Sequence, residues 1–227
     1  MRGDVLSHGV NQDLSEQYRR RFAAENETRK RVWAVLVECW FQRYVDGAEA
    51  VLDLGCGWGP FINQVQAEKR YGIDLNPDAA EHLDEAVTFF EQRADERWPL
   101  DDASLDLVFT SNFLEHMPDR EAMAAALAEA HRTLRPGGRL VCLGPNIARV
   151  GGMYWDFFDH MIPLTERSVV EASELAGFVT EEAIGSFLPY TMAGKPPPPA
   201  IAIRAYLKLR PAWRLLGKQF LVVVAKP

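Results

Sequence analysis

Three glycines fall within five positions, Gly55, Gly57 and Gly59, directly after the apolar run AVLDL (Ala50–Leu54). A backbone that bare can take positive φ and lets a ligand approach without meeting a Cβ. Carboxylates recur at the ends of later apolar runs: Asp74 in RYGIDL and Asp95 in RADERWPL. Placed there, one can accept both hydroxyls of a ribose and the other a proton of an adenine amino group. Two histidines could move a proton. His116 stands in NFLEHMPD and His160 in YWDFFDHMIPL, where Trp155, Phe157 and Phe158 neighbour Asp156 and Asp159. An aromatic wall with a carboxylate–imidazole pair suits a hydroxyl-bearing acceptor, and His160 is the preferred base of the two.

These residues need elements to bring them together. Short apolar runs at 50–54, 70–75, 88–92, 105–111 and 139–144, with the closing QFLVVVAKP, read as buried strands. Residues 14–45 read as helical, with Trp33, Leu36, Val37, Trp40, Phe41 and Tyr44 in one apolar stripe. A second helix spans 119–134 and stops at RPGG; another is expected to begin near Pro60 and point free amides at the glycine loop. Strand and helix in this alternation mean a mostly parallel α/β sheet with helices on both faces, whose ligands sit at the carboxyl ends of the strands.

Several function classes drop out. A dinucleotide fingerprint needs a third glycine where Pro60 stands, and no G-K-[ST] follows for a phosphate loop. The net charge of −7 argues against nucleic acid as a partner. Cys39, Cys56 and Cys142 are too widely spaced for a zinc site or disulfide framework, so no metal is expected and a reducing cytoplasm fits. The opening residues lack an apolar export signal.

Taken in order, VLDLGCGWG, YGIDLNP, RADERWPLDDASLDLVFTSNFLEHM and LRPGGRL resemble the class I S-adenosylmethionine-dependent methyltransferases over about residues 50–144. The resemblance implies a Rossmann-like seven-stranded sheet with its last strand antiparallel. It further implies that Gly55, Cys56 and Gly57 line the methionine portion of S-adenosylmethionine, with Asp53 behind them. Asp74 would hold the ribose, Leu75 would pack on the adenine, and Asp95 with the Glu96 amide would read its edge. Asn112 and Phe113 would face the sulfonium side. Tyr18 and Arg29 are candidates to close over the methionine carboxylate.

On the acceptor side the candidates are Tyr154, Trp155, Phe158 and Tyr190, with His160 or His116 as the base. The expected reaction is metal-free methylation of a small molecule. A hydroxyl of a sugar, of a prenyl- or nucleotide-linked sugar, or of a secondary metabolite leads; N- or C-methylation and a catalytically silent binding module are the alternatives. Residues 1–47 read as an N-terminal helical cap and 48–227 as the methyltransferase domain. Within the latter, 189–217 is a helical insertion before the last strand. After Glu182 the chain carries seven lysines and arginines and no acid. That basic segment reads as a solvated surface balancing an acidic body, a site for an anionic acceptor or a peripheral membrane contact, and the insertion as a lid, a homodimer contact or an element touching lipid.

Overall fold

The computed structural model describes residues 26–190 and 198–227. The start of the first expected helix, and Tyr18 with it, lies outside them. Seven strands form one sheet: β1 (Ala50–Leu54), β2 (Lys69–Asp74), β3 (Val87–Glu91), β4 (Leu105–Ser111), β5 (Leu134–Pro145), β6 (Val179–Ile184) and β7 (Gln219–Ala225). Their order is β3-β2-β1-β4-β5-β7-β6. β1 to β5 pair in parallel, while β7 runs antiparallel to both β5 and β6. The seven-stranded sheet with a reversed last strand is as the sequence implied. The order turns back between β1 and β4, and the carboxyl ends there open a crevice.

Side chains alternate across the sheet, as period-two geometry requires. Phe220, Val222 and Val224 of β7 join Leu52 and Leu54 in one buried layer. Leu221 and Val223 face the other way with Val51. The first layer is covered by α2 (Arg120–Thr133), which Asp119 caps by accepting the Ala122 amide, and by α3 (Glu166–Leu175), started by a Thr165–Ser168 capping box. The second is covered by α1 (Asn26–Leu36), α4 (Ala200–Lys208) and α5 (Arg210–Leu216).

α1 continues through a π-helical turn (Val37–Phe41) into a last α turn (Gln42–Val45). The wider turn lets adjacent Trp40 and Phe41 both reach the core. α4 and α5 lie within residues 189–217 and are docked on α1's continuation. Ile203, Leu207 and Trp213 are buried, and the Trp213 ring lies 5.0 Å from Trp40 and 5.2 Å from Phe187. Arg204 pairs with Glu38 at 2.7 Å.

The helix expected to begin near Pro60 is not formed. Residues 60–64 make turns, with bonds from Asn63 N to Gly59 O and from Gln64 N to Phe61 O. Gly59 has φ +68°, and Phe61, Ile62 and Val65 are all buried. Asn63 spends its side chain across the fold, donating to His82 O and accepting the Asp84 amide. These demands leave no continuous helical register. The amide-rich helix start that a phosphate would need is therefore absent from this loop.

Candidate active site

The glycine loop is built by its neighbours. The amides of Gly55 and Cys56 both donate to Ile73 O of β2, and the Gly57 amide donates to Asp74 Oδ2 at 2.8 Å. The other Asp74 oxygen accepts the Asn76 amide at 2.9 Å. Asp74 thus ties the loop to β2, and burial raises its pKa while these amides pull it back. Gly55 has φ +70°, and a Cβ there would stand 2.2 Å from the Phe113 ring. At Gly57, with φ +50°, a Cβ would meet nothing within 4 Å, because that position faces the open cleft. Cys56 is buried, which lifts its thiol well above the usual range, so it offers the site no thiolate.

The cleft beside the loop encloses about 640 Å³ including its open mouth. Arg29, Lys30, Trp33, Trp58, Pro60, Phe61, Phe109 and Ser111 line it together with Asp53, Gly55, Cys56, Gly57 and Asn112. Asp53 shares the α1-facing side of β1 with Val51 and is 3% exposed. Burial among these groups pushes its carboxyl up to about 8. Sequence reasoning missed Trp33 and Trp58 as cleft residues: Trp33 reads as part of a core stripe, and Trp58 as a spacer between glycines. The Trp58 ring lies 4.0 Å from that of His82.

On the opposite side of the loop, Leu75 follows β2 and is 57% exposed, so it is no core residue. Asp95 sits beyond β3, paired with Arg93 at 2.7 Å, which holds its pKa low. The Glu96 amide contacts Arg93 O at 3.4 Å. Asn112, just past β4, takes φ +50° and donates its amide to Leu143 O. That turn throws Phe113 over Gly55.

One turn after Phe113 the chain reaches a polar cluster, the His116 amide donating to Phe113 O. One ligand atom each from Glu115, His116 and His160 lie within 4.8 Å of one another. A carboxylate–imidazole pair forms at His116. Asp159 turns toward it, its backbone oxygen 2.9 Å and its Oδ2 3.6 Å from His116 Nδ1. Met161 and Ile162 then donate their amides to Glu115 O, which latches the two loops together. His160 is buried, its ring 4.6 Å from Tyr154, 5.0 Å from His116 and 5.1 Å from Phe157.

The acceptor candidates divide by exposure. Trp155 and Phe158 are outward at 53% and 94%. Tyr190 is half-buried, with its ring 6.0 Å from Phe157. Tyr154 is fully buried and gives its hydroxyl to Ile162 O, so it props the loop from beneath and cannot touch an acceptor in this arrangement.

The sheet order and a glycine loop at its switch point define an α/β nucleoside-binding domain. Residues 52–142 match the family described as methyltransferase domain. A malonyl-[acyl-carrier protein] O-methyltransferase of Dechloromonas aromatica is 34% identical over 142 residues, 59% of this chain and 52% of that protein. A demethylmenaquinone methyltransferase of Lactiplantibacillus plantarum is 31% identical over 134 residues, 52% of this chain and 55% of that one. The chain thus spans about half the length of these curated relatives. A solved S-adenosylmethionine-dependent methyltransferase from Archaeoglobus fulgidus shares the fold, with TM-score 0.65 at 20% identity over 87% of this chain and 94% of that one. The chain carries a class I S-adenosylmethionine-dependent methyltransferase domain. The residues present fit that cofactor: Gly57 leaves open space, and an exposed apolar Leu75 follows the Asp74 carboxylate. Among the described residues no helix is long and apolar enough to cross a membrane.

Proposed function

We propose that this chain methylates an oxygen of a small-molecule acceptor. The acceptor class is sugars, nucleotide- or prenyl-linked sugars, secondary metabolites and acyl-linked acids. One observation carries the reading. Phe113, packed on the Gly55 backbone, and His116, in contact with Glu115 and Asp159, lie one turn apart on a single loop. Donor and acceptor sides are thereby held by the same short stretch of chain.

S-adenosylmethionine supplies a sulfonium methyl: its S–C bond breaks with the electron pair to sulfur, a C–O bond forms, and neutral S-adenosylhomocysteine leaves. The protein's part is alignment, worth several kcal/mol, and disposal of the hydroxyl proton, worth roughly 10²–10⁴-fold. In this reading Asp74 and Leu75 hold ribose and adenine, with Asp95 and the Glu96 amide at the adenine edge. Asp53, Gly55, Cys56, Gly57 and Arg29 surround the methionine end, and Asn112 and Phe113 the sulfonium side. The His116–His160 cluster handles the hydroxyl proton, while the outward rings of Trp155 and Phe158, with Tyr190, contact the acceptor. α1 with its continuation, and α4 with α5, shape the approach to it.

The test incubates the chain with S-adenosylmethionine and a panel of phosphosugars, phenolic natural products and acyl-carrier-linked acids. The reading expects S-adenosylhomocysteine release together with a methyl ether or ester in one acceptor class. Methylation at nitrogen or carbon would refute the oxygen assignment. Tight cofactor binding with no transfer across the panel would favour a silent binding module.

A further inference from the structure

The cluster after β4 contains more ligating atoms than a proton shuttle requires. Glu115 is 1% exposed, and its Oε2 has no hydrogen-bond partner among the described residues. A buried carboxylate oxygen left unmatched is costly, and natural structures rarely tolerate one without an ion or water. Glu115 Oε1 is 3.9 Å from His116 Nε2, and His160 completes a set of two imidazoles and one carboxylate within 4.8 Å.

The tautomer of His116 supports a ligand role. Nδ1 faces the Asp159 backbone oxygen at 2.9 Å, which can only accept, so the proton resides on Nδ1. In the neutral ring that leaves the lone pair on Nε2, the nitrogen nearer Glu115 and the one a metal ion would take. An imidazole oriented through its far nitrogen by a carbonyl or carboxylate is the arrangement found behind metal-bound histidines. Ligands on a common ion at about 2.0–2.2 Å stand roughly 3–3.5 Å apart, so the group needs a contraction of up to about 1.3–1.8 Å. The Met161 and Ile162 amides on Glu115 O already hold the His160 segment against the Glu115–His116 turn.

We propose that Glu115, His116 and His160 form a binding site for a divalent transition-metal ion, with Asp159 orienting His116. Two imidazoles and one carboxylate favour zinc, iron, cobalt or manganese over magnesium and calcium, which prefer all-oxygen shells. The inference rests on the reading of an oxygen methyltransferase and replaces its imidazole base: an ion here would lower the pKa of an acceptor hydroxyl, with His116 and His160 as its ligands.

The experiment titrates the metal-stripped chain with Co²⁺, reading its visible absorption, and with Zn²⁺ by calorimetry, in the absence of cofactor and acceptor. One equivalent should bind at micromolar concentration, and excess Mg²⁺ should not displace it. Glu115→Gln and His160→Ala should each weaken binding at least a hundredfold. If His160→Ala does not fold, as judged by circular dichroism, His116→Gln takes its place with the same expectation. No saturable binding up to about 1 mM of either ion, or binding equally tight in the variants, would overturn the site. Ion binding without methyl transfer would leave this site standing and remove the activity. Transfer by a chain that takes up neither ion would do the reverse.

Discussion

Asp74 Oδ2 accepts the Gly57 amide at 2.8 Å, so the residue expected to hold the ribose also sets the shape of the glycine loop. Both duties fall on one carboxylate because β2 ends level with the loop, where Ile73 O has already taken the Gly55 and Cys56 amides. Asp74→Ala should therefore weaken S-adenosylhomocysteine binding at least tenfold in calorimetry. Unchanged affinity would show that neither duty matters to the ligand.

Gly55 and Gly57 should fail differently. Both have positive φ, which costs a substituted alanine about 1 kcal/mol. At Gly55 the new methyl also collides with the Phe113 ring, so Gly55→Ala should lower the melting temperature well beyond that strain. Gly57→Ala meets open space, so it should lose only about 1 kcal/mol of stability yet bind S-adenosylhomocysteine at least tenfold more weakly. Equal stability losses would contradict the geometry.

The pH dependence follows from Asp53. Its carboxyl titrates near 8 in the folded chain, against an ordinary value of 3.8. Between those values the folded state keeps a proton that the unfolded state has lost. Stability contributed by this group therefore falls as pH rises, by up to about 1.4 kcal/mol per pH unit, and levels off above 8. Without ligand, Asp53→Asn should gain in melting temperature over the parent chain as pH goes from 5 to 8 and no further. A constant difference across that range would refute the buried, proton-holding Asp53.

The insertion offers a contrast between packing and charge. Trp213 is buried against Trp40 and Phe187 and donates its ring nitrogen to Tyr206 O at 2.9 Å. Trp213→Ala should cost about 3–5 kcal/mol in denaturant unfolding. Arg204→Ala, which breaks the exposed pair with Glu38 and a weak bond to Cys39 Sγ, should cost under about 1 kcal/mol. A Trp213 variant as stable as the parent would mean that α4 and α5 are not docked as described.

Six strands were legible as short apolar runs punctuated by glycine and acidic residues, while β6, VTEEAI, alternates and was expected only from the resemblance; Asp74, Leu75 and Asn112 fall at strand ends that can be counted in the sequence. The segment after Pro60 was not. Phe61, Ile62 and Val65 fit a helical stripe as well as a buried turn, and the tertiary bonds of Asn63 that decide between them leave no local mark. The pairing of His116 went unread for a related reason. Asp159 adjoins His160 in sequence, yet it serves His116, 43 positions away. Tyr154 reads like its exposed neighbour Trp155, and only the short turn at 151–156 shows that it points inward. Glu115 drew no notice, since a glutamate beside a histidine is ordinary until its burial is known.

The most direct test of the central claim is a calorimetric titration of the purified chain with S-adenosylhomocysteine and, separately, with NAD. The account predicts saturable one-to-one binding of S-adenosylhomocysteine, abolished or weakened at least tenfold in Gly57→Ala, and no binding of NAD. Saturable NAD binding, or no heat with S-adenosylhomocysteine at millimolar concentration, would contradict it.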